Sequence, residues 1–234
     1  MNPSFAEDKI YHIYNRGTEK RKIFMEDKDY FRFVHDLFEF NDKNNISNIN
    51  YYFDPETMTV EYRYLKNSKA ERKPRKLLVE ILMFTLMPNH FHLLLKQKAE
   101  DGVSKFMQKL GMGYAKYFNK KYERTGSLFQ GKFKAVAIEE QAHFLHILHY
   151  IHTNPLANLN YQHRVLIVEQ VKFLEDYRWS SFPDYTGKKN FPSVTQREFL
   201  LDFFGGEKKY KEETKDWLKN RTKNLAKIKE VALD

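Results

Sequence analysis

Residues 77–96, LLVEILMFTLMPNHFHLLLK, decide how the rest of the chain is read. The stretch 77–87 is an apolar run of strand length, Pro88-Asn89 breaks it, and 90–96 resumes as a second strand. In a strand, residues two apart project from the same face. His90 and His92 can therefore converge on one cation, while Phe91 points to the opposite face and packs. Leu93, Leu94 and Leu95 anchor the strand, so both imidazoles would sit on a rigid element. Two alternate histidines also occur simply as surface or packing residues, and a metal site needs a third ligand.

Upstream, IYHIY (10–14) reads as a first strand ending in the turn signal Asn15-Arg16-Gly17. Residues 29–40 carry Phe33, Leu37 and Phe40 at helical spacing, and 41–48 are a polar loop. Residues 51–53 and 59–64 are strand-like, with a turn at Asp54-Pro55. The basic run KNSKAERKPRK (66–76) reads as a solvated loop or hairpin tip. Downstream, 103–122 is an amphipathic helix, 124–132 a glycine-containing loop, 133–138 a short strand and 139–152 a helix. The order β-α-β-β-α-β, then another helix, predicts an α+β fold: an antiparallel sheet with helices on one face. After Asn158 the pattern weakens. YRWSSFPDY (177–185) reads as an aromatic surface-packing segment, and 195–204 and 208–227 as C-terminal helices.

On the 139–152 helix, Tyr150 is followed one turn later by Asn154, so the two are neighbours on one face. That pair would set a phenol beside a metal and lend it a carbonyl oxygen. The bland alternative is a packed aromatic and an Asn that caps before Pro155. His143, His146, His149 and His152 recur every three residues, which drifts about 60° around the helix per step. They cannot all face one ion. His146 shares the Tyr150 stripe and competes with Asn154 as third ligand, or hydrogen-bonds the tyrosine.

Lys and Arg number 40 against 31 Asp and Glu, a formal charge of +9 that favours a polyanionic partner. In residues 113–135, Lys116, Lys120, Lys121, Arg124, Lys132 and Lys134 alternate with aromatic residues. Basic side chains neutralise phosphates and rings stack on unpaired bases. Tyr117 and Phe118 are expected to be buried, with Lys120, Lys121 and Arg124 exposed on a binding face. The absence of cysteine excludes disulfides, thiolate zinc sites and cysteine nucleophiles, and fits a reducing, cytoplasmic setting. No signal peptide is expected from residues 1–10, which include Glu7 and Asp8, and the apolar stretch 81–87 is too short to span a bilayer.

Five stretches together resemble the IS200-like transposases, and within them the REP-associated tyrosine transposases. They are YHIYNRG (11–17), MPNHFHLL (87–94), GSLFQGKFK (126–134), YIHTNP (150–155) and YRWSS (177–181), in the family's order. The resemblance implies a ferredoxin-like fold and an HUH-type nuclease site in a bacterial, nucleoid-associated protein. It makes His90 and His92 the metal-binding pair, Tyr150 the nucleophile and Asn154 the polar residue completing the metal site. It implies a divalent ion, Mg²⁺ or Mn²⁺, and single-stranded DNA carrying hairpin or palindromic elements as partner. Tyr150 would attack the phosphodiester and leave a 5′-phosphotyrosine and a free 3′-OH in a shallow site on the sheet face, with His146 as a possible base. Arg16 joins the basic residues above as a candidate DNA contact.

The family domain is expected over 1–187, with an inserted basic hairpin around 54–76, and 188–234 as a helical extension. The arrangement can be a monomer or a homodimer. Competing readings are a nucleic-acid-binding regulator derived from such an enzyme, a zinc hydrolase using His90, His92 and His146, and a basic structural protein without chemistry.

Overall fold

The computed structural model describes residues 3–44, 51–54, 59–62, 75–157, 166–221 and 224. In chain order they form β1 (Ile10–Arg16), α1 (Asp27–Glu39), β2 (Tyr51–Asp54), β3 (Thr59–Tyr62), β4 (Val79–Met87) and β5 (His90–Gln97). Then come α2 (Gly102–Lys121), β6 (Lys134–Ala137), α3 (Gln141–Thr153), α4 (Ile167–Asp176), α5 (Phe182–Tyr185), α6 (Glu198–Phe204) and α7 (Glu207–Lys219). Among the described residues, strands β2 and β3 pair only with each other, where the insertion expected around 54–76 begins. Residues 66–74 of the expected basic run and 45–48 of the expected loop lie outside the described residues.

The remaining strands make one antiparallel sheet in the order β4-β5-β1-β6. With α1 and α2 as its crossovers, this is the ferredoxin-like arrangement. Every residue of β4 except Glu80 is buried, as a strand covered on both faces requires. On one face Ile13, Phe84, Phe91, Leu93 and Leu95 pack with Phe33 and Leu37 of α1 and Phe106, Leu110 and Tyr114 of α2. On the other, Leu82, Met83 and Leu94 pack with Ile147 and Ile151 of α3 and with Leu174 and Tyr210. The paired helices α1 and α2 keep to one face as expected, and α3 with the C-terminal helices fills the second.

Two readings of the C-terminal part need correction. Helix α4 was not foreseen, because its apolar residues Val171 and Leu174 form too short a stripe to stand out. The 177–185 segment is not a surface feature: Ser180, Ser181, Phe182 and Tyr185 are fully buried. It seals the edge strand β4, where Leu86 N–H donates to the Trp179 carbonyl, Ser181 N–H to the Phe84 carbonyl, and Phe84 N–H to Ser181 Oγ. Serine hydroxyls and aromatic rings read as surface in sequence, yet here they satisfy an otherwise open strand edge.

Helix α7 fixes α3 from behind. His152 Nδ1 lies 2.7 Å from Tyr210 Oη and its Nε2 lies 2.8 Å from Ser181 Oγ. His149 stacks on Tyr210 with ring centroids 5.4 Å apart and meets Thr214 Oγ1 at 3.3 Å. Burial, then the charge of His146, pushes His149 down to about 3. A histidine held neutral in this way contributes its full stability above about pH 6.5 and loses it as pH falls toward the folded-state value. Asp36 and Glu39, raised by burial to about 7 and about 6, act in the opposite direction, so the diagnostic quantity is a difference between variants. Melting temperature followed from about pH 7 to 4 should fall less steeply in His149→Phe than in the unmodified protein. Equal slopes would show that the imidazole takes up its proton without cost.

Candidate functional site

The antiparallel register of β1 and β5 sets Tyr14 opposite His92 and Arg16 opposite His90. Alternation then turns His12, Tyr14, His90 and His92 to the face occupied by α3. His12 is a diagonal neighbour of His92, and its Nε2 lies 2.9 Å from His92 Nδ1. The two rings are close to parallel, with planes 15° apart. Tyr150 of α3 stands edge-on to both, its ring centroid 5.3 Å from that of His92 and 6.2 Å from that of His12. One turn on, Asn154 Oδ1 lies 3.1 Å from His90 Nε2, and His90 Nδ1 lies 2.7 Å from Asn89 Oδ1. The structure thus brings His90, His92, Tyr150 and Asn154 of a single chain together.

The donor set fits a divalent cation. A neutral imidazole carries one ring proton. If His90 Nδ1–H donates to Asn89 Oδ1, its Nε2 lone pair faces the Asn154 oxygen. Two lone-pair atoms that close repel unless a cation lies between them or the amide turns over. Turning the amide would pair Nδ2 with Nε2 and leave Oδ1 stranded. His92 Nε2 and Asn154 Nδ2 are both buried without a hydrogen-bond partner. Burial, reinforced by His90 and His12, holds His92 well below its ordinary value and therefore in the neutral form that binds metal. His90 Nε2, His92 Nε2 and Asn154 Oδ1 are the atoms that would hold the ion.

The expected shallow site is instead enclosed: Tyr150 is 3% and His92 0% exposed. His146 is half-buried one turn before Tyr150 and its charge acts on His149; the contacts just described are made by Asn154. A separate group, His35, Asp36 and Glu39, lies on α1. Arg32 Nε lies 3.0 Å from Asp36 Oδ1, and His35 Nε2 lies 3.3 Å from Glu39 Oε2, a contact that is an ion pair when His35 is protonated.

Among the basic residues, Lys116, Lys120, Lys132 and Lys134 are exposed. Lys134 Nζ reaches over the Tyr14 ring at 6.0 Å, and Arg16 Nε donates to Gln130 Oε1 at 2.5 Å, so both border the site. Lys121 and Arg124 depart from expectation. Lys121 Nζ contacts Asp29 at 2.5 Å and Glu26 at 2.7 Å, and Arg124 is half-buried. For Lys121 the physical reason is the buried Asp29. Burial alone would raise its carboxyl, but hydrogen bonds from Lys121, Tyr122, the Met25 N–H and Tyr117 hold it below the ordinary range. Tyr117 is accordingly half-buried and polar-bonded rather than core, while Phe118 is buried as expected.

Three residues were missed. His12 and Asn89 lie inside quoted motifs, but only the strand pairing reveals what they touch. His143 sits seven and eleven residues before Tyr150 and Asn154, on their stripe of α3. Burial, then the charge of His143, pushes His12 down to about 3.

An antiparallel α+β domain with paired strand histidines facing a helix tyrosine defines the class. Residues 56–154 match the family model "Transposase IS200 like", a range that holds His90, His92, Tyr150 and Asn154. Over that range the chain is similar to the IS200-like transposases, in agreement with the resemblance its motifs carry. A solved structure titled "Structure of the REP associates tyrosine transposase bound to a REP hairpin" shares the fold at 13% identity, with TM-score 0.50, over 83% of this chain and 88% of that one. A tRNA(His) guanylyltransferase from Saccharomyces cerevisiae overlaps at 10% identity and TM-score 0.35, over 74% of each chain, too loosely to support an argument. No curated protein matches.

A ligand that binds only the folded state raises its melting temperature. Mn²⁺ at about 100 times its dissociation constant should stabilise the protein by about 2.7 kcal/mol. His90→Ala should abolish that shift with little change in the metal-free melting temperature. A large metal-free drop in melting temperature would favour a packing role for His90.

Proposed function

We propose that this protein is a metal-dependent tyrosine transposase that cleaves and rejoins single-stranded DNA beside hairpins. The observation that carries the reading is the edge-on approach of Tyr150 to His92 within one chain, with Asn154 at His90. Tyr150 Oη is the nucleophile. It attacks the scissile phosphorus in line, the P–O3′ bond breaks, and the products are a 5′-phosphotyrosine and a free 3′-OH. The ester keeps the energy of the original bond, so the reverse attack by a 3′-OH rejoins a strand.

The bound divalent ion, Mg²⁺ or Mn²⁺, would offset charge growing on the phosphate oxygens. His90, His92 and Asn154 hold that ion. An ordinary phenol titrates at about 10, so Tyr150 needs assistance, and His146 is the proposed acceptor for its proton. Arg16 and Lys134 border the site and are proposed to take the flanking phosphates, with Lys116, Lys120 and Lys132 as further contacts. Since Tyr150 is enclosed, the DNA must displace part of its cover before attack.

The neighbour bound to a REP hairpin supports a hairpin-bearing substrate. The single-chain site suits a monomer acting in cis. Among the described residues no helix is long and apolar enough to cross a membrane, which agrees with a substrate of DNA in the cytoplasm. The alternative of a regulator without chemistry requires the tyrosine to be idle.

Incubation with Mn²⁺ and a hairpin-bearing oligonucleotide should yield a covalent protein–DNA adduct on a denaturing gel. Tyr150→Phe should remove the adduct and preserve DNA binding. Normal cleavage by the Phe variant would place the nucleophile elsewhere.

A further inference from the structure

We propose that His12 is a positioning residue for the metal centre: its Nε2 accepts the Nδ1 proton of His92 and thereby directs the His92 Nε2 lone pair at the ion. This rests on the reading of His90, His92 and Asn154 as metal ligands and adds the group that makes one of them competent.

The two strand histidines are held in the same manner. His90 Nδ1 has an acceptor oxygen from Asn89 at 2.7 Å, and His92 Nδ1 has the His12 nitrogen at 2.9 Å. In each ring the bond at Nδ1 leaves Nε2 for the cation. Histidine ligands depend on such a partner to fix tautomer and ring orientation, and its loss typically weakens metal binding about 10–100-fold. Both His12 and His92 are 0% exposed, so no bulk solvent replaces the bond. Only one proton can occupy the short contact between the two nitrogens. If it belonged to His12, His92 would carry its own proton on Nε2 and could not bind metal. Each arrangement leaves one buried ring N–H without a hydrogen-bond partner, at His12 Nδ1 when His92 donates and at His92 Nε2 when His12 donates, and only the first leaves His92 a lone pair for the cation. The ring planes are only 15° apart, the alignment that an in-plane N–H···N bond between two imidazoles requires. Tyr150 meets both rings edge-on, so the His12–His92 unit also forms the wall against which the nucleophile rests.

The test measures Mn²⁺ binding by calorimetry, without DNA, and counts imidazole nitrogens on the ion by pulsed EPR. His12→Phe keeps an aromatic ring and removes the acceptor. His12→Gln restores an acceptor at similar reach. His12→Met removes it with a flexible chain, and replaces the Phe variant in the comparison if that one does not fold. We expect about 10–100-fold weaker Mn²⁺ binding and one imidazole instead of two without the acceptor, with substantial recovery of both in His12→Gln. Unchanged affinity and two imidazoles in the acceptor-free variant would overturn the proposal. So would a loss in His12→Gln equal to that in His12→Phe or His12→Met, since volume and not hydrogen bonding would then be responsible. Failure of the unmodified protein itself to bind Mn²⁺ would instead overturn the underlying metal reading.

Discussion

The structure depends on the pairing of β1 with β5, because that ladder decides which side chains share the face beneath α3. Tyr14 opposite His92 and Arg16 opposite His90 leave no freedom in the register. A slip of one residue would turn every imidazole of the site to the other face. That other face is the hydrophobic contact with α1 and α2, where Phe91, Leu93 and Leu95 lie at zero or near-zero exposure. Burial of these residues therefore specifies the register, and the register specifies the site. Core and candidate site are written into alternate residues of one strand.

Helix α3 is the second constraint. A tyrosine placed on a helix can approach the strand histidines only if the helix is fixed, and this one is gripped from both sides. Leu94, Ile147 and Ile151 pack it to the sheet, while His149 and His152 meet Tyr210, Thr214 and Ser181 from the C-terminal part of the chain. The four histidines at three-residue intervals thus divide by angle around the helix. The charge of His143 acts on His12, while His149 and His152 serve the packing against α7 and the 177–185 segment. Polar residues that read as a single cluster in sequence have separate duties.

Local periodicity made most of the framework legible: the strand on each side of Pro88-Asn89, the helix of 103–122 and the β-α-β-β-α-β order follow from apolar spacing, while the ferredoxin-like fold came from the family resemblance. The paired histidines, Tyr150 and Asn154 were legible as well, through alternation and a one-turn separation. What sequence could not supply was contact between distant elements. His12 is 80 residues from His92, and no local pattern announces a bond between them. Lys121 looked like a solvent-facing cation until Asp29, 92 residues away, was found buried beneath it. The same holds for Ser180 and Ser181, whose hydroxyl-rich sequence conceals their function at the edge of β4.

The central claim is that His90, His92 and Asn154 act with Tyr150 of their own chain. Mixing Tyr150→Phe protein with His90→Ala protein tests it most directly, with covalent adduct on hairpin-bearing single-stranded DNA as the readout. A site completed within one chain predicts that the mixture stays as inactive as either variant alone. Recovery of adduct in the mixture would mean that tyrosine and histidines come from different protomers, and would contradict the account.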